Sequence, residues 1–534
     1  MARRGERRAE RGRPAPARTQ AAPAVDSGVA IVVATPGDAV ALLASQQSGP
    51  VVGIVCARPG GAEERAALDR AVEDCGRRGV RVAGEPRVLD AEKGKITAGV
   101  LDALRELRPL RVHTLDPDPA HVSFDTEAKR PVIAEPPLRG SVARATIAAA
   151  RTYQRERRSP VFVHCHRAGA DPRLGTQACA RHPLPARWVV TGVDGRLSAY
   201  LPSAAGVLRW TERLRGSGEW DGPEVLEGPD LLPGLTVVQD AHGYVHLFGL
   251  RRTRRADGKE HVDVVQTTQY QSGRPVGPWH SVGNPNGNDR AKGREVGFPS
   301  AVFDAGGNLH VFVRNFGHGV STRRQTPNGT WSGWQHLRAV PVADELVALP
   351  AEPGGAEVWA RARESASVVR WYRDGPKGDW LPDTTSAVSP APGTLSAAPE
   401  AGTLRYRYSG SNEVCVEVRG AGPVSLAGAD GAGPVAGAAG VDIQGWSCTV
   451  LARSGEAGAC SVGAHADGRP ESGVWWFDAG EVSLVPPAVA VDGHGRAVVA
   501  VLGADGRLRL ARQEPVASGL ALTRWITVGA HVDI

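Results

Sequence analysis

No stretch of the 534-residue chain approaches the ~20 consecutive apolar residues that a transmembrane helix needs, so no membrane span is expected. A secretory signal is not expected either. Pro14, Pro16 and Pro23 interrupt the N-terminal region, and the apolar run at 29–34 is too short for the core of a signal peptide. CxxC pairs are also missing. The seven cysteines (56, 75, 165, 179, 415, 448 and 460) are odd in number and dispersed, which fits reduced thiols in a cytoplasmic protein better than a disulfide framework. Cys448 and Cys460 are the pair that an oxidising compartment would join. Methionine occurs once, beside 66 glycines, 40 prolines and 13 tryptophans, a balance that points to many short strands and tight turns. The length calls for two or three domains.

A formal charge of +6 invites a nucleic-acid partner, but its distribution argues against one. Residues 1–20 hold Arg3, Arg4, Arg7, Arg8, Arg11, Arg13 and Arg18 against Glu6 and Glu10, which accounts for +5 of the +6. A Pro- and Ala-rich stretch follows, so residues 1–26 read as a disordered basic tail that cannot bury enough surface to offset chain entropy. Any contact with nucleic acid is confined to that tail, since the rest of the chain is close to neutral.

From Val29 the pattern alternates short apolar runs with amphipathic segments. It predicts strands at 29–34, 51–56, 79–83 and 110–115, with helices near 37–46, 62–77 and 94–107. Apolar runs between helices are what a parallel sheet covered on both faces requires, so residues 27–185 are expected to form a Rossmann-like, doubly wound α/β domain. Ligands of such sheets sit beyond the carboxyl ends of the strands, where Thr35–Asp38, Ala57–Gly61 and Asp116–Pro119 would converge.

The first of these loops, Ala34-Thr-Pro-Gly-Asp-Ala39, resembles the zinc loop of the PIG-L type N-deacetylases, whose strand ends in Ala-His-Pro-Asp-Asp-Glu. In that family the His and the second Asp bind zinc and the first Asp is the general base. Here Thr35 replaces the His, Gly37 the base and Ala39 the Glu, while Pro36 and Asp38 match. Arg111–Pro119 resembles the strand and loop ahead of the family's second motif, Asp-His-x-x-His, at the start of a helix read here as Ser141–Arg151. At its entry this chain offers Arg139, Gly140, Ser141 and Arg144. Zinc-dependent amide hydrolysis needs about three protein ligands, an open position for water and a base. The resemblance therefore implies a deacetylase fold without its catalytic residues, with Asp38 a vestige and no cofactor expected.

The sequence offers two places for a relocated metal site. His113, Asp116, Asp118, His121 and Asp125 lie near one rim, but their Pro-interrupted spacing matches no ligand geometry. His164-Cys165-His166, with Cys179 and His182, reads better as a buried strand in which Cys165 is a small core residue.

Residues 186–534 carry a repeat. Asp240-Ala-His-Gly, Asp304-Ala-Gly-Gly and Asp492-Gly-His-Gly each precede alternating apolar residues, and Asp194-Gly195 and Asp505-Gly506 are shorter relatives. Such turns between alternating runs mark hairpins. Trp220, Trp279, Trp334, Trp380 and Trp525 are separated by 59, 55, 46 and 145 residues, the last being about three periods of ~48. A seven-bladed β-propeller is expected, although residues 385–470 are poor in signature residues. The insert Asn284–Arg294 is expected to project as a loop. Gly277-Pro-Trp-His, Ser332-Gly-Trp-Gln and Gly378-Asp-Trp resemble the strands of sugar-binding bacterial propellers. A tryptophan repeated once per blade is, however, more often packing between blades than a ligand platform. The ligand candidates therefore lie in irregular segments: Asn284, Asn286, Arg314, Asn315 and His318.

The reading favours a hydrolase fold that is no longer an enzyme, joined to a propeller that binds a glycan or a protein. An active zinc-dependent N-deacetylase acting on an N-acetylated sugar or a related metabolite is the first alternative. A protein-interaction scaffold is the second.

Overall fold

In the computed structural model the described residues are 28–46, 49–89, 95–168 and 180–529, less 229, 257, 259, 290, 352, 374–377, 387, 419–421 and 515–518. The tail at 1–26 and Cys179 lie outside them. The first domain runs β1 (Gly28–Val33), α1 (Pro36–Ala44), β2 (Val51–Cys56), α2 (Ala62–Arg77), β3 (Arg81–Val82), β4 (Arg87–Val88), α3 (Ile96–Leu107), β5 (Pro109–Leu115), β6 (Ser123–Asp125), β7 (Arg130–Val132), α4 (Pro137–Arg157) and β8 (Phe162–His166). Its main sheet has the order β3-β2-β1-β5-β8, with β4 also against β2. The unbroken apolar run of β1 follows from its central place, in parallel register with β2 on one side and β5 on the other. Helix α4 is longer than expected at both ends. It begins at Pro137, whose fixed φ and missing N–H suit a first turn, and ends where Arg158 turns left-handed (φ 54°) and donates its N–H to Gln154 O.

Seven four-stranded antiparallel sheets follow, at 189–227, 236–283, 300–337, 342–383, 396–425, 436–482 and 488–527, each built from consecutive strands. The weakly marked region at 385–470 thus holds blade five and most of blade six. Because no strand is shared between the last blade and the first, side chains close the ring. Trp188, buried at the start of blade one, donates Nε1–H to Pro486 O at 2.8 Å.

The repeated Asp-x-x-Gly is the turn between the first and second strands of a blade. Asp240 Oδ1 accepts the amides of His242 and Tyr244, both at 2.9 Å, Asp492 accepts those of His494 and Arg496 in blade seven, and Asp304 accepts that of Asn308 in blade three. Gly243, Gly307 and Gly495 have φ of 73°, 74° and 77°, a conformation that glycine adopts without a steric cost. The periodic tryptophans pack within and between blades: Trp380 of blade four stands edge-on to Phe312 of blade three, at 5.3 Å between centroids.

The α/β domain covers the face formed by the turns between second and third strands. Ala204 N donates to Val161 O, Gln154 Nε2 to Ser203 Oγ and Arg151 Nη2 to Leu231 O. Buried α/β residues such as Val142 and Ala150 form one contiguous apolar cluster with Phe248, Leu250 and Val262 of blade two. The insert at 284–294 does not project as expected. Asn284 is buried, with Nδ2 donating to Val262 O and Gly293 O, and the segment turns back toward β6, where Lys292 lies over Phe124. An amide that satisfies its own loop lets the loop fold down onto the neighbouring domain. No described helix is long and apolar enough to cross a membrane. The six described cysteines, Cys448 and Cys460 among them, are all free.

Candidate functional site

At the end of β1, Asp38 Oδ2 accepts the amide of Thr35 at 3.1 Å, the N-terminal contact of a capping box on α1. Its Oδ1 is paired with Arg139 Nη2 at 2.6 Å, and Thr35 Oγ1 donates to Glu64. The two segments matched to zinc motifs do meet, but a guanidinium lies on the carboxylate. Arg144 donates to Pro117 O at 2.7 Å.

Asp116 and Asp118 face further cations. Asp116 Oδ2 lies 3.0 Å from Arg181 Nε, and Asp118 is paired with Arg252 of blade two. Arg181 also reaches Asp344 at the start of blade four, which Arg167 and Arg314 approach as well. Burial alone would raise the Asp344 pKa, but Arg181, Arg314 and Arg167 outweigh it and hold the carboxyl well below the ordinary range. His121 pairs through Nδ1 with buried Glu295 at 2.7 Å and stacks on Phe316, while Asp125 accepts amides of its own turn.

His113 and His166 share a hydrogen bond (Nδ1 to Nε2, 2.9 Å), and His164 stacks on His113. Burial lowers His164 to about 3 and His166 to about 4, and takes His113 and His182 well below their ordinary value. Among the described residues, no group of three or more His, Cys, Asp or Glu side chains is arranged to hold a metal ion. A pH dependence follows. A depressed folded pKa means that stability is complete above the unfolded value of ~6.5 and falls below it, because only the unfolded chain takes up the proton. Between pH 7 and 5, His166 alone is expected to cost on the order of 2 kcal/mol, and urea titrations of the protein and its His166→Gln variant at both pH values should differ by that amount.

The irregular segments proposed as ligand loops lie under the α/β domain. Asn286 Oδ1 accepts the amide of Phe316, Arg314 pairs with Asp344, Asn315 bonds Ser321 and His336, and His318 contacts His121 O. Each would have to give up those partners to reach a ligand.

The opposite face, at the turns between first and second strands, carries an open cavity of about 340 Å³ between blades five and six, near the lower end of the size usual for small-molecule sites. Its lining combines Ala398, Glu400, Thr403, Arg405 and His465 with the apolar Val416, Val418 and Pro470. Arg405 is 2% exposed; Nη2 donates to Ala397 O at 2.9 Å, while Nε and Nη1 have no partner. It lies against the inner strand of blade six, where a Cβ on Gly437 would stand 2.2 Å from Nη1. Burial lowers its pKa to about 10, Glu400 offsets part of this, and Arg187 adds repulsion. Glu400 reaches across to Thr449 Oγ1 of blade six at 2.6 Å. His465 donates Nδ1–H to Ala466 O, which leaves Nε2 as an acceptor. The corresponding space between blades one and two is about 10 Å³ and is filled by Arg196, paired with Asp194 at 2.7 Å. None of the cavity residues was singled out from the sequence. Their signal was negative, a turn in blade five without the repeated aspartate.

No family model matches the chain, and no curated protein does. Among solved structures it is similar to BP39L lectin from Burkholderia pseudomallei, at 16% identity over 64% of this chain and 97% of that one, with a TM-score of 0.48. It is also similar to an ulvan lyase of a polysaccharide lyase family (11% identity, 66% and 93% covered, TM-score 0.39) and to the six-bladed lectin of Aleuria aurantia (14%, 57% and 100%, TM-score 0.33). Likeness at this level adds nothing to the architecture described above.

Proposed function

We propose that this chain is a carbohydrate-binding protein whose sugar site is the cavity between blades five and six, and that its α/β domain is a PIG-L-like fold without hydrolytic chemistry. The observation that carries the first part is the composition of the cavity. A sugar ring offers hydroxyls on its edge and an apolar C–H face, and the site sets the donors of Arg405 and Thr403 and the acceptors of Glu400 and His465 beside Val416, Val418 and Pro470. The second part is supported by the pairing of Asp38 with Arg139, since a cation already occupies the carboxylate that a zinc ion would need.

Glycan-array binding by the full chain is expected, with a loss of about tenfold to a hundredfold in the Arg405→Ala variant, the usual range for one hydrogen-bonded charged group. Binding to no glycan would sink the reading. Stoichiometric zinc in the purified protein, removed by Asp38→Ala with the fold kept, would overturn the non-hydrolytic assignment and favour an active deacetylase.

A further inference from the structure

The blades themselves show what the cavity is missing. In blade two the amide of Asp240 donates to Tyr244 O, and two residues further along lies His246, whose Nε2 is 3.6 Å from the Asp240 carboxylate. Blade three repeats this with Asp304, Asn308 and His310, at 3.0 Å. In blade five the same backbone bond runs from Ala398 N to Thr403 O, so Ala398 stands in the place of the aspartate and Arg405 in the place of the histidine. The base has been enlarged and its carboxylate deleted. What remains is a buried cation with two unpartnered nitrogens, beside an open space lined by the very alanine that replaces the acid.

Neighbouring acids do not fill the gap. Glu400 and Asp467 both lie within reach of the Thr449 hydroxyl, which can donate to one of them, and Asp467 also accepts the Gly440 amide and the Ser447 hydroxyl; Arg405 Nε and Nη1 bond to neither. Arg187, which precedes the inner strand of blade one, adds a second positive charge nearby. A buried guanidinium without a directly paired counter-charge is costly, and a ligand that supplies one recovers that cost on binding.

We infer that the missing acid arrives with the ligand: the cavity takes a sugar acid, whose carboxylate sits against Arg405 where the turn aspartate stands in blades two and three. This rests on the assignment of the cavity as a sugar site, and the two can fail separately. The probes are oligosaccharides carrying hexuronic or nonulosonic acids, each beside its carboxyl-reduced counterpart, with acetate as a free carboxylate, all titrated against the full chain. Acidic glycans are expected to bind at least about tenfold more tightly than their reduced forms.

Ala398→Asp is expected to abolish that binding by rebuilding the internal pair. Should that variant fold poorly, Arg405→Gln is expected to bind an acidic glycan and its reduced form equally. Equal binding of the two forms by the unaltered protein would overturn the sugar-acid inference and leave the sugar site standing. Acetate binding through Arg405 without any glycan would overturn the sugar site and keep carboxylate recognition. If no probe binds, both fall.

Discussion

Asp344→Ala is expected to destabilise the protein by about 3–5 kcal/mol, the range seen when one partner of a buried ion pair is removed. The residue belongs to blade four, yet two of the guanidinium groups that meet it, Arg167 and Arg181, come from the segment joining β8 to the propeller, and the third, Arg314, from blade three. Its loss leaves three cations at the junction, with Asp116 still on Arg181. The damage should therefore appear where the domains meet. Denaturation followed by hydrogen exchange is expected to show β5 and β8 losing protection before blades five and six.

The pH dependence of that substitution separates charge from packing. Asp344 has a folded pKa depressed by its three arginines, so its contribution is complete above the unfolded value of ~3.9 and is lost as the pH falls through the lower folded value. The stability gap between the protein and its Asp344→Asn variant should be constant from pH 8 to 5 and shrink below ~4. A gap that stayed constant at pH 3 would mean that the side chain acts by shape alone.

How much of this was legible in the sequence depends on whether the signal was periodic. The apolar runs of β1, β2 and β5 and the amphipathic α2 lie within a residue or two of where the pattern put them, because burial on both faces of a sheet forces composition directly. The Asp-x-x-Gly turns and the spaced tryptophans likewise gave seven blades, since every copy meets the same packing requirement. The docking of the domains was not legible. His318 looks like an exposed polar loop residue, and nothing local reveals that it is buried against His121 of a second domain. Arg405 was hidden for another reason. A site made by departing from a repeat has no motif of its own, and Ala398 gains its meaning beside Asp240 and Asp304 once the strands are aligned in space.

The same logic of side chains in place of shared strands makes Arg512→Ala the sharpest test of ring closure. Arg512, at the end of the third strand of blade seven, bridges Asp492 of its own blade at 2.7 Å and Glu212 of blade one at 2.6 Å. Both carboxylates are fully buried. Asp492 would keep Arg496, but among the described residues Glu212 would keep only the amides of Leu197 and Gly218, so a loss of about 3–5 kcal/mol is expected from this one residue. A matched substitution within one blade is available in Arg370→Ala, which strands Glu357 in blade four. The two should destabilise comparably and differ in place: exchange should quicken at Val189–Thr191 and Ala488–Val491 for the seam variant and near Glu357 for the other. Replacing both seam partners with apolar residues, Glu212→Leu with Arg512→Met, should recover most of the loss, because the cost lies in the orphaned charge rather than in the absence of the pair. If the double variant is as unstable as Arg512→Ala alone, closure depends on the ion pair itself and not on the apolar contacts that Trp188 makes across the same seam.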